Sequence, residues 1–124
     1  MTPRFDIKKQ VAKLGADSLL PSRGRIAYKL FRVRRDGSLG PLFINQRQRI
    51  PLRTRLAAEA HPTKGYAFRP GWHVCSHPVA PHLSKTGRRW YKVRIDNFIA
   101  HHRPEAQGGL WFIAQEMTVL CPTA

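Results

Sequence analysis

Between Arg88 and Phe98 the chain reads RRWYKVRIDNF, in which Tyr91, Val93 and Ile95 alternate with Trp90, Lys92 and Arg94. Period-two alternation places successive side chains on opposite faces of a pleated strand. A second stretch, LWFIAQEMTVL (110–120), is apolar and long enough for a central strand. These two segments require a sheet, and the rest of the chain must supply partners for it.

The residues before them offer such partners. IAYKLFRVRR (26–35) is rich in strand formers, Asp36-Gly37 is a hairpin signal, and LGPLFI (39–44) returns antiparallel. Pro51 suits a first helical turn, and LRTRLAAEA (52–60) then predicts a short helix with Leu52, Leu56 and Ala60 on one side. From His61 to Leu83 four prolines, two glycines and four histidines break the chain into short pieces, with Trp72–Cys75 the one strand among them. The expectation is α+β: a small mixed or antiparallel sheet of four or five strands with one or two short helices. Residues 25–124 form that single domain, and residues 1–24 read as a basic N-terminal arm with a thin amphipathic stripe over 5–14.

Charge narrows the function. The 124 residues hold 22 Lys+Arg against 7 Asp+Glu, a formal +15. Fourteen of the cations precede residue 56, with three acidic groups among them. Self-repulsion of that size is most simply offset by a polyanionic partner. Arg47, Arg49, Arg53 and Arg55 fall within nine residues, and the planar guanidinium fork suits phosphate. Arg32, Arg34 and Arg35 extend the basic surface from the first hairpin, and Trp90, Lys92 and Arg94 share a face on which a base could stack between cations. No apolar run is long enough to span a bilayer and the N-terminus lacks a signal-peptide pattern, so an intracellular protein without membrane contact is expected. In that compartment Cys75 and Cys121 are expected as thiols.

Two chemical constellations stand beside the charge. His61, Arg69, His73 and His82 are candidates for a general acid/base pocket in the Pro/Gly loop, although no triad order, phosphate loop or carboxylate pair accompanies them. His73, Cys75 and His77 alternate as metal ligands would on one face of a strand, but one-residue spacing is not a common zinc signature. Neither constellation calls for a cofactor.

The text HPTKGYAFRPGWHVCSHPVAPHLS, followed by GRRWYKVRID and HRPEAQGGLWFIAQEMTVL, resembles small uncharacterised proteins of bacteriophages and prophages over about residues 28–120. That resemblance implies action in the host cytoplasm, on nucleic acid, on a nucleic-acid-loaded host complex, or on an acidic host protein as an inhibitor of host defence. A thinner likeness, to the ADP-ribosyltransferase fold, would cast Arg32 and His73 in catalytic places. It lacks the Ser-Thr-Ser strand, and Gln115-Glu116 are adjacent where one residue should separate them.

Overall fold

The computed structural model describes residues 24–43, 45–59 and 71–123. Six strands build it: β1 (Arg25–Val33), β2 (Leu39–Gly40), β3 (Arg55–Ala57), β4 (Trp72–Cys75), β5 (Arg88–His102) and β6 (Leu110–Pro122). Their ladders are all antiparallel. A 3-10 turn at Glu105–Gln107 joins β5 to β6 and is the only helical element among the described residues. The α+β expectation is therefore corrected to an all-β sheet of six strands.

The correction turns on residues 52–60. Nine residues are marginal as a helix in water even with good formers. Here Arg53 takes a left-handed φ of 58°, and Arg55–Ala57 then adds to β6 with Leu56 opposite Met117. Strand pairing supplies backbone partners and half-buries Leu56 against the core, a tertiary gain that local propensity does not register. The expected stripe over 5–14 lies outside the described residues.

The first hairpin forms, with Arg32 opposite Gly40 and Val33 opposite Leu39. Its return strand is two residues long, because Pro41 has no N–H to donate to a ladder. Arg34 staples the hairpin to the loop beyond it: its guanidinium donates to the carbonyls of Leu39 (2.7 Å), Gln46 (2.8 Å) and Gln48 (2.8 Å). It lies so close over Gly40 that a Cβ there would stand 2.5 Å from Nη2.

Strands β1, β5, β6 and β4 pair in a cycle, closed by Tyr28 opposite Cys75. Closure leaves few unpaired edges. Phe31, Val74, Val93, Ile95, Phe98, Phe112, Met117 and Val119 fill the core, each no more than 2% exposed. Strict alternation fails at Asn97, whose φ is 52°; Ile95, Phe98 and Ile99 all join the same cluster across that kink. A second cluster of Leu30, Cys75, Ala80, Trp90 and Trp111 packs with Tyr28, Leu42 and Leu83. It draws on the loop between β4 and β5 through Ala80 and Leu83, which gives that Pro-rich segment its packing role.

Candidate nucleic-acid interface

The alternation expected of β5 holds over 91–95: Tyr91, Val93 and Ile95 enter the main core, while Lys92 is half-buried and Arg94 exposed. Trp90 behaves differently from its neighbours on that face. It is 7% exposed and belongs to the second cluster, so its ring is committed to packing and offers no stacking surface. The sequence could not separate these outcomes, because an amphipathic strand covered on both faces alternates like one covered on a single face.

The arginines divide by what they touch. Arg34 is structural, its donors bound to main-chain carbonyls. Arg49 pairs with Asp36 at 2.9 Å, and the Asp36 carboxyl is held well below the usual carboxylate range by the Ser38 hydroxyl, the Ser38 N–H and Arg49. Arg55 lies 3.6 Å from Glu116, and Arg94 lies 3.9 Å from Asp96. These two arginines face the same way, through the register Arg94, Thr118, Arg55 across β5, β6 and β3. By contrast, the side chains of Arg35, Arg47, Arg53 and Lys92 meet no carboxylate among the described residues. Arg35, Arg47 and Arg53 are exposed and Lys92 is half-buried, so most of this charge stands at the surface.

A concentration of cations that sequence reasoning missed sits where β1 ends and β5 begins. Arg32 stands opposite Arg88 on the β1–β5 ladder, and like charges directly opposite one another are destabilising. Arg32 and Arg34 both donate to the Gln46 carbonyl. Arg88 donates to the Ser84 carbonyl at 3.1 Å and lies 5.4 Å from the centroid of the Phe43 ring. Phe43 itself stays 42% exposed. The available signal was the Arg88-Arg89 dipeptide, whose position opposite the first hairpin only the register reveals.

Of the four acid/base candidates, only His73 and His82 are among the described residues, and their rings meet different partners. His61 and Arg69 lie outside the described residues. The His73 ring sits edge-on to His101, with centroids 6.3 Å apart. His82 instead lies 6.0 Å from Trp111, whose other neighbours include the Arg103 guanidinium at 4.8 Å. Burial and then Arg103 lower the His82 pKa, favouring the neutral ring. Gly108 permits this arrangement: with φ at 99°, its Cβ would come 2.6 Å from the Val79 carbonyl oxygen. These contacts describe aromatic packing with a cation on it.

The alternating metal set is also dispersed. β4 ends at Cys75 and the chain bends through Ser76–Pro78, so His77 turns away and its Nδ1 meets the Ser76 hydroxyl at 3.0 Å. Among the described residues no three His, Cys, Asp or Glu side chains are placed to hold a metal ion. Burial pushes the Cys75 thiol up to about 12, against the opposing pull of Lys29 and Arg103. Both cysteines are free thiols, Cys75 buried and Cys121 exposed. A thiol reagent is therefore expected to label Cys121 rapidly and Cys75 only on unfolding, since reactivity follows thiolate and access. Two equally fast thiols in the native protein would contradict this assignment.

The carboxylate that the ADP-ribosyltransferase likeness would draw on, Glu116, is engaged within the sheet. Gln115 and Glu116 are neighbours on β6 and so face opposite ways, and Glu116 is taken up by Asn97 at 2.9 Å and by Arg55. No family model, curated protein or solved structure matches the chain. No described helix is long and apolar enough to cross a membrane.

Proposed function

We propose that this chain is a small phage-encoded protein that binds a polyanion, either nucleic acid or a nucleic-acid-loaded host complex, in the host cytoplasm. The observation that carries the reading is the Arg32–Arg88 juxtaposition. The two arginines are directly opposite in the β1–β5 register, and neither meets a carboxylate among the described residues. A fold selected only for stability would not place like charges there, whereas a bound phosphate converts the repulsion into charge-assisted hydrogen bonds. Arg35, Arg47 and Arg53 add exposed positive charge, and Lys92 half-buried charge, with no carboxylate partner among the described residues.

An inhibitor that docks on an acidic host protein would use the same surface, and the resemblance to phage proteins keeps it as the second reading. Polarisation anisotropy of a labelled oligonucleotide separates the two. Binding is expected at about 50 mM salt, where counterion release favours it strongly. An absence of binding at that salt would overturn the nucleic-acid reading.

A further inference from the structure

The end of the sheet that joins β1 to β5 carries more than charge. Three guanidiniums converge there on main-chain oxygens: Arg32 and Arg34 on Gln46, and Arg88 on Ser84. The one carboxylate nearby in sequence, Asp36, is already held by Ser38 and Arg49. The Nε of Arg32 is buried without a hydrogen-bond partner, so a ligand would meet this side chain at its terminal guanidinium nitrogens. Lys85 and Arg89 are exposed on the same approach to β5. Beside this cluster Phe43 presents an exposed ring with Arg88 close to it.

We infer that this end of the sheet is a site for single-stranded nucleic acid, with a backbone phosphate between Arg32 and Arg88 and a base against Phe43. The inference rests on the polyanion reading and specifies its ligand. An exposed aromatic ring with a guanidinium beside it serves a strand whose bases are unstacked, because every base has a π-face to offer. Duplex keeps its bases stacked inside and shows a flat cationic surface only its phosphates, so Phe43 would gain nothing from it. Trp90, two positions from Arg88 and so on the same face of β5, is buried in a cluster that includes Leu30 and against which Leu42 packs. Leu42 in turn holds Gln46 through its carbonyl at 2.8 Å, so the loop bearing Phe43 is tied to the same cluster.

The test compares the wild type with Phe43→Leu, Phe43→Trp and Arg88→Gln, using a labelled thymidine oligonucleotide of about 12 residues, within the usual site sizes, and a duplex of equal length. Phe43→Leu is expected to weaken single-strand binding by about 5- to 150-fold, the loss of one stacked base. Phe43→Trp should retain it. Arg88→Gln should lower the slope of log affinity against log salt by about 0.7, one phosphate contact on a single strand. Duplex binding should be indifferent to Phe43. Equal single-strand affinity in Phe43→Leu and wild type, or an equal loss on duplex, would overturn the site while leaving polyanion binding intact. A wild type that binds neither oligonucleotide at low salt would remove the polyanion reading as well. Melting temperatures guard against misfolding; should Phe43→Leu lower its own, Phe43→Trp and Arg88→Gln carry the test.

Discussion

Raising salt from about 50 to about 200 mM should weaken binding of a single strand roughly three-hundredfold if six phosphates are neutralised. A slope of about −0.7 per phosphate gives about −4 for six, applied to a fourfold change in salt. Six is the number of guanidinium and ammonium groups on and around the β1–β5 end, Arg34 aside, that meet no carboxylate among the described residues: Arg32, Arg35, Arg47, Lys85, Arg88 and Arg89. Arg34 is not among them, because its donors are spent on three carbonyls. Arg49, Arg55 and Arg94 already face carboxylates and would contribute less. Docking on an acidic protein predicts a shallower dependence, since a folded surface does not condense counterions as a phosphate backbone does. Titrations at four salts therefore read both the partner class and the contact number. A change of less than about tenfold over that range would exclude a multi-phosphate contact.

Such a measurement also probes how far charge alone could be trusted as a guide. The strands at 88–98 and 110–120 were legible in the sequence because alternation and apolar length act over many residues at once. Trp72–Cys75 and the Asp36-Gly37 hairpin were legible because glycine and proline bound them. The segment 52–60 was not, since its helix propensity is local while its pairing partner, Met117 on β6, is distant in sequence. The site shows the same division. Charge and its bias toward the first half are compositional facts, yet whether a given arginine faces a phosphate or a carbonyl depends on loop geometry. Arg32 and Arg34 look alike in the sequence; one shares a ladder position with Arg88 and the other is a staple for residues 39–48. Trp90 reads as a stacking residue until Leu30, Ala80 and Leu83 are seen around it.

Lys29 supplies the second large effect, and it concerns stability. It alternates with Ala27 and Phe31, which belong to the main core, and its Nζ donates to the His73 carbonyl at 2.7 Å. Burial lowers its pKa from 10.5 to about 8, while the nearby Cys75 opposes the shift. In the unfolded chain the amine holds its proton up to the higher value. Between the two values the unfolded state binds more protons than the native state, so stability rises with pH across that window. Below about 8 the charged amine costs the fold its full desolvation penalty; above 10.5 the penalty is gone. The shift corresponds to at most about 3 kcal/mol, of which about 2 should be recovered between about pH 7.5 and 10. Chemical denaturation of wild type and Lys29→Met at those pH values isolates the contribution, because all other titrating groups are common to both. The Cys75 thiol, pushed up from 9.0 to about 12, acts in the opposite direction toward the upper end of that range, because the unfolded chain loses the thiol proton while the native state keeps it; present in both proteins, it largely cancels in their difference. Near the lower of those pH values the variant's stability should differ little from the wild type, since removing the buried charge is offset by leaving the His73 carbonyl without its donor, a loss of about 1–3 kcal/mol. The sensitive quantity is the difference in slope. Parallel pH profiles for the two proteins would show that Lys29 keeps its proton in the fold, and the cost assigned to its burial would then be wrong.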